Sequence, residues 1–219
     1  MIPACTGHFR FHVVGEEVLR LEQRLGYVHK GIEKIAIGRD AFALARLAAR
    51  VCGDSTVAHA WAACMALERA LHVQVPTRAL ILRAILAERE RIANHLGDIG
   101  AICNDVAFAF AHMQFSRLRE DCLRTNQMLF GHRLLMDRII PGGVACDLNH
   151  EAIAQLRTQH EKLAQAVAGL CVILDDHPSL EDRLVAAGIL QTDMAKRLGV
   201  LGYVAKASGQ DLDARRDHR

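Results

Sequence analysis

Apolar and polar residues alternate at the start of the chain, with Phe9, Phe11 and Val13 set against His8, Arg10 and His12. That is the two-residue period of a strand. Gly15-Glu16 supplies a turn, and Val18, Leu19 and Leu21 lead back towards Leu25 and Tyr27. Residues 8–28 therefore predict a β-hairpin. Gly26 to Lys34 should pass into a short helix whose Lys30, Glu33 and Lys34 read as a solvated charged turn. Beyond it the apolar spacing changes to three and four, the period of helices. Helices are predicted over residues 40–49 and 55–71, and a long one over 77–106 opens after Val75-Pro76, proline being favourable at a helix start. Its stripe reads Ile81, Ile85, Ile92, Leu96, Ile99, Cys103 and Val106. A second long helix is predicted over 114–138, with Phe115, Leu118, Cys122, Thr125, Leu129, His132 and Met136 on one side, until Ile139-Ile140-Pro141-Gly142-Gly143 breaks it. A third, over 150–174, follows Asn149 as N-cap.

The three long helices and the one over 55–71 predict a four-helix bundle. Short helical pieces are expected near 180–187 and 192–198, and the polar tail from Lys206 onward is expected to be extended or disordered in isolation. The fold class is mainly α (α+β): long antiparallel helices with a small N-terminal hairpin. Residues 1–38 hold the hairpin and short helix, 39–178 the bundle, and 179–219 the short helices and charged tail. Glu88 falls on the apolar stripe of the 77–106 helix, where a buried carboxylate is costly unless paired, so it is expected either at the bundle edge or held by an arginine or histidine. His132 and His160 lie on apolar stripes and read as neutral, hydrogen-bonded core residues. Trp61 and Met65, four apart, read as core.

Composition agrees with packed helices. Apolar residues make up 51% and aromatics only 5%. A net charge of +2, with no basic run interleaved with aromatics, argues against nucleic-acid binding. The seven cysteines, at positions 5, 52, 64, 103, 122, 146 and 171, form no C-x-x-C pair, so free thiols in a reducing cytosolic compartment are expected. The start, Met1 to Cys5, has no apolar core of a signal peptide. No apolar run is long enough to cross a bilayer, so membrane attachment would go through a partner.

The candidate chemistry lies in the ten residues from Arg50 to His59. Cys52 and Ser55 are three apart and His59 four further on, so a thiol, a hydroxyl and an imidazole can share one side of a turn and the helix after it. A soft metal wants more than one thiolate, and by itself a single cysteine is more readily a small apolar core residue. The stretch resembles R-x-C-G-x-C-x-x-x-H, the amino-terminal metal motif of nickel–iron hydrogenase large subunits. Arg50, Cys52, Gly53 and His59 match it, and Ser55 stands at the second cysteine.

Further motifs follow in order. Gly7 to Phe11 looks like the opening hairpin of the formate hydrogenlyase and energy-converting type. Tyr27 to Lys34 resembles Y-x-H-R-G-x-E-K, and Val75 to Ala79 resembles V-P-E-R-A. Glu88, Arg91, Asn94, His95 and Leu96 fit L-x-E-x-x-R-x-x-x-H-L. Pro141 to Leu148 resembles P-G-G-V-x-x-D-L, and Ala207-Ser208-Gly209 with Asp213, Arg215 and Asp217 resembles R-A-S-G-x-x-x-D-x-R-x-D. The superfamily has a second branch, the quinone-site large subunit of respiratory complex I, which lacks the cysteine motif. Cys52 and the spacing from His59 to Glu68 look like the hydrogenase branch, which is favoured here. Pro141 to Val144 and Asn94-His95 look more like complex I.

The resemblance implies a hydrogenase large-subunit-like fold, with Cys52 a terminal nickel ligand, Glu33 a proton relay, His59 a support for the bridging ligand and Arg50 a steadying charge. It implies a nickel–iron centre in complete family members, an iron–sulfur small subunit and a membrane arm as partners, and a cytoplasmic location peripheral to the membrane. The family's D-P-C-x-x-C pair does not occur before Arg219 and its G-P-x-H segment is not seen. The expectation is a fragment or degenerate form, with no complete nickel–iron centre assembled, no turnover by the chain alone, and apolar surface that can self-associate. The rival expectation is a non-catalytic or quinone-linked module that docks an iron–sulfur subunit.

Overall fold

The computed structural model describes residues 7–217, without the side chains of Ala214 and Arg215. The start at Met1 to Cys5 and the Arg215 side chain of the last motif lie outside the described residues. Two compact units divide between Leu170 and Cys171.

The first unit opens with the predicted hairpin. Strand β1 (His8–Val14) pairs antiparallel with β2 (Glu17–Arg24), His8 opposite Arg24 and Val14 opposite Glu17, with an irregularity between His12 and Val13. Gly15 adopts φ +61° at the turn. Phe9, Phe11 and Val13 are exposed. A short helix α1 (Ile32–Ala36) follows Gly31, and α2 (Ala41–Ala48) starts where the Asp40 carboxylate accepts from the Ala43 amide at 2.8 Å.

The bundle consists of α3 (Thr56–Ala70), α4 (Thr77–Asp105), α5 (Ala109–Phe130) and the first part of α6 (His150–Asp175). Asn149 caps α6 as predicted, accepting from the Ala152 amide at 2.8 Å. Helices α4 and α5 approach closely because two glycines face α5. A Cβ on Gly100 would stand 3.2 Å from Phe115 Cβ, and one on Gly97 3.0 Å from Arg119 Nε. The core joins Ala45, Val57, Cys64, Leu82, Leu86 and Phe130 with Leu135, Ile139, Leu148 and Leu156, and Trp61 packs against it.

Three predictions fail here. Helix α5 begins at Ala109 and ends at Phe130, where Gly131 turns left-handed at φ +78°. The stripe through His132 and Met136 continues past the helix into a loop, in which His132 Nδ1 accepts from the amides of Leu134 (3.1 Å) and Met136 (3.3 Å). Strands β3 (Ile139–Ile140) and β4 (Gly143–Val144) then form a two-stranded turn.

The second failure concerns α4. Its buried face runs through Leu82, Arg83, Leu86, Arg89, Glu90, Ala93 and Leu96, while Ile81 of the predicted stripe is exposed; Glu88 does take an arginine partner as expected, Arg91 at 2.9 Å near solvent. Polar groups can sit inside because each has a partner there. Arg83 is fully buried and donates to both carboxylate oxygens of Glu68, at 2.6 and 3.0 Å. Buried Arg89 donates to Asn126 Oδ1, to the Cys122 carbonyl at 3.1 Å and to Gln159 Oε1 at 3.1 Å. Third, His160 is exposed rather than core, with its Nε2 3.4 Å from Arg89 Nη1.

The second unit carries the end of α6 and α7 (Pro178–Leu184), α8 (Thr192–Arg197), α9 (Gly202–Ala207) and α10 (Ala214–Asp217). His177 Nδ1 accepts from the Leu180 amide at 3.1 Å to cap α7. The tail is not extended. The last two residues of α9 and the four of α10 lie in it, and ion pairs from Lys206 to Asp213 and from Arg216 to Asp211 and Asp217 fold it back on itself. Opposite charges close together in sequence supply local order that composition does not reveal.

Candidate functional site

The turn from Arg50 to Ser55 joins α2 to α3 and is held from four sides. From the amino-terminal side, Lys30 Nζ donates to the carbonyls of Arg50 (3.3 Å) and Val51 (3.1 Å). Gly31 follows in a left-handed conformation at φ +64°, so α1 starts beside the turn. From the loop after α5, Asp137 accepts both Arg50 guanidinium nitrogens at 3.0 and 2.7 Å. That hydrogen-bonded pair holds the Asp137 carboxyl below the usual carboxylate range. Leu135 and Asp137 both adopt φ near +60°, a strained conformation for non-glycine residues. Met136 between them reaches over Gly53, its Cε 3.9 Å from where a Cβ would be.

The other two sides are α4 and α5. Asn94 on α4 donates to the Asp54 carbonyl at 2.7 Å, and Arg119 on α5 pairs with the Asp54 carboxylate at 3.4 Å. One turn before Asn94, Glu90 accepts from the amides of Val57 (2.6 Å) and Ala58 (3.0 Å). The N-cap residue Ser55 makes no side-chain cap bond. The first turn of α3 is thus capped by a carboxylate from another helix. Burial, the largest influence, pushes Glu90 up to about 7 against the pull of those two amides, and the nearby Asp54 charge adds to the rise. Thr56 Oγ1 is buried beside this cap without a hydrogen-bond partner.

Arg50 and Cys52 lie in this turn, Cys52 half-buried, and half-buried His59 lies one helical turn into α3. Glu33 is exposed on α1. No hydrogen bond or ion pair joins Glu33, Cys52 and His59 to one another among the described residues, and the Arg50 guanidinium is engaged by Asp137. The residues that organise the turn and that no sequence motif singles out are Asp54, Glu90, Arg119 and Asp137. Glu90 had a signal, since it falls four after Leu86 and three before Ala93 on the buried face. Replacing Asp137 with asparagine keeps a residue that tolerates positive φ and removes the charge. Because both partners are about a third exposed, the expected loss is at most about 1 kcal/mol, read as a small drop in the urea midpoint.

Comparison with known proteins adds the family. The profile described as nickel-dependent hydrogenase matches residues 30–97, and that of the respiratory-chain NADH dehydrogenase 49 kDa subunit matches 105–219. The second match covers more than half of the chain. The chain belongs to the 49 kDa subunit family. Its likeness to the hydrogenase large subunits holds as well. Formate hydrogenlyase subunit 5 of Escherichia coli K12 is 36% identical over 97% of this chain and 37% of its own length. An NADH-quinone oxidoreductase subunit of Clostridium beijerinckii is 30% identical over 98% of this chain and 59% of its own. The chain therefore spans less than two thirds of these relatives.

A chain in the structure of the membrane-bound sulfane sulfur reductase, an archaeal respiratory membrane complex, superposes with a TM-score of 0.91 at 24% identity. The match covers 97% of this chain and 57% of that one, and confirms the helical fold. The hydrogenase-like Cys52 motif falls inside the first profile match and Pro141 to Val144 inside the 49 kDa match. Asn94-His95, which resembles the complex I branch, falls inside the hydrogenase match.

The residues of the turn do not fit a nickel–iron centre. Among the described residues, no three His, Cys, Asp or Glu side chains converge to hold a metal. At the second thiolate of the motif stands Ser55, whose hydroxyl is a poor ligand for a soft metal. Also among the described residues, no helix is long and apolar enough to cross a membrane.

Proposed function

We propose that this chain forms part of the large subunit of a membrane-peripheral oxidoreductase complex of the hydrogenase and NADH:quinone oxidoreductase kind. It takes part in electron transfer with an iron–sulfur partner and does not itself encode a complete nickel–iron site. Serine at position 55 carries this reading, because the motif keeps its arginine, glycine and histidine and loses a metal-binding thiolate. In this reading the bundle presents the Cys52 turn towards the partner, on the cytoplasmic side, and attachment to the membrane arm goes through other subunits. Glu33, exposed beside the turn, is the proton-handling carboxylate. Arg50 and His59 support the turn, in which Cys52 is the one thiolate of the motif that remains.

A second reading, a quinone-linked docking module with no catalysis of its own, is favoured by the 49 kDa match over residues 105–219. Affinity purification of the tagged chain from its own host, under anaerobic conditions, tests the shared core of both. Co-purification of an iron–sulfur subunit, seen by electron paramagnetic resonance after reduction, is expected. Recovery of the chain alone, or only as a self-associated form, would overturn both.

A further inference from the structure

We propose that Glu90 is a proton-operated latch on the Cys52 turn: its carboxylate holds the start of α3, and uptake of a proton releases part of that hold. The proposal concerns the turn itself and stands whichever electron carrier the complex uses.

Three observations carry it. First, α3 takes its cap from Glu90 rather than from its own N-cap residue Ser55, so the segment right after the Cys52 turn is tied to a group that can gain or lose a charge. Second, the two bonds are unequal, 2.6 Å to Val57 and 3.0 Å to Ala58. A proton placed on Oε1, the oxygen facing Ala58, turns that acceptor into a donor and leaves the Val57 bond in place.

Third, Glu90 borders a small internal cavity with Asp54, Asn94, Arg119, Asn126 and Arg133, in which the space open to a water's centre is about 10 Å³. That is room for about one water. Arg119 lines the cavity, and its Nε is buried without a hydrogen-bond partner. A water held there can take a proton from solvent as it gives one to Oε1, and then accept from the new O–H, so the one protein hydrogen bond lost is that from the Ala58 amide.

The charged residues that line the cavity with Glu90 are Asp54 from the turn, Arg119 from α5 and Arg133 from the loop after it; Arg119 is paired with Asp54 and Arg133 with Glu120. The carboxylate of Asp54 opposes the negative charge on Glu90, and the amides of Val57 and Ala58 favour it. With burial dominating, the balance lies near neutral pH. Asn94 and Arg119 keep Asp54 in place throughout, so the movement is confined to the link between the turn and α3.

The test is nuclear magnetic resonance of the full chain, with carbon-13 at glutamate side-chain carboxyls and nitrogen-15 at amides, titrated from mildly acidic to mildly alkaline pH. The Glu90 carboxyl is expected to titrate with a midpoint of about 7. The Ala58 amide should move with that midpoint and by more than the Val57 amide, and the Cys52 amide should follow. In Glu90→Gln, which keeps an acceptor oxygen and cannot ionise, these amides should no longer respond to pH. A Glu90 carboxyl that titrates in the ordinary range of about 4.3 would overturn the proposal, and so would one that titrates near neutrality while the three amides stay still. Both readings come from the wild-type chain, so the test survives a variant that fails to fold.

Discussion

Replacing Glu68 with alanine is expected to destabilise the first unit by about 3–5 kcal/mol, the usual cost of breaking a buried ion pair by removing one member. Arg83 is fully buried and Glu68 is 7% exposed. Burial alone would raise the Glu68 pKa, but the Arg83 hydrogen bonds and the Gly142 amide outweigh it and hold the carboxyl below its ordinary value. The pair also organises backbone. Arg83 donates to the carbonyls of Ile140 (2.8 Å) and Gly143 (3.0 and 3.1 Å), and Glu68 accepts from the Gly142 amide at 2.8 Å. One cluster therefore fastens the β3–β4 turn to α3 and α4. Urea titration followed by circular dichroism would read the loss, and a change below about 1 kcal/mol would show that the guanidinium finds solvent instead. The paired replacement Glu68→Leu with Arg83→Met should recover only part of the stability, because the Gly142 amide loses Glu68 and the carbonyls of Ile140 and Gly143 lose Arg83.

The second large effect is a pH dependence. Relative to Glu90→Gln, the wild-type chain is expected to lose up to about 3 kcal/mol of stability as pH rises from acid through neutrality. The sign follows from the folded carboxyl titrating at about 7, above its ordinary 4.5. The folded state holds the proton more tightly, so this contribution is complete below pH 4.5 and is lost as pH climbs through about 7. Burial is the largest cause, and the amides of Val57 and Ala58 act against it. If the amides prevailed, the difference between the two proteins would change sign and appear on the acid side. Paired urea titrations of wild type and variant across this range separate the two, since contributions common to both, such as that of Asp137, cancel.

Much of the fold can be read from local pattern. The hairpin follows from alternation around Phe9 to Val13, α2 from Asp40, and α6 from Asn149, each using groups within a few residues of one another. The failures share a physical cause, which is partners distant in sequence. Arg83 and Arg89 occupy buried positions on α4 because Glu68, Asn126 and Gln159 meet them there, and a hydrophobic stripe drawn through Ile81 and Ile85 has no access to those partners. Glu88 takes the edge position and the arginine partner expected of it, pairing with Arg91, while Glu90, two residues on, is buried because the amides at the start of α3 receive it. Helix α5 ends at Gly131 although its apolar period runs on to Met136, since one left-handed glycine and a histidine cap outweigh periodicity.

At the candidate site the sequence marks the turn and few of the groups that hold it. Arg50 meets Asp137 across 87 residues of chain and Asp54 meets Arg119 across 65, contacts that no motif spacing encodes. The absent thiolate at Ser55, by contrast, is plain from one position.

The account is tested most directly by nickel quantification with nickel-edge X-ray absorption on the complex purified anaerobically from a host that has its maturation proteins. Nickel far below one atom per chain, unchanged by Cys52→Ser, is the expected result. One nickel per chain with sulfur neighbours that disappear in Cys52→Ser would contradict it.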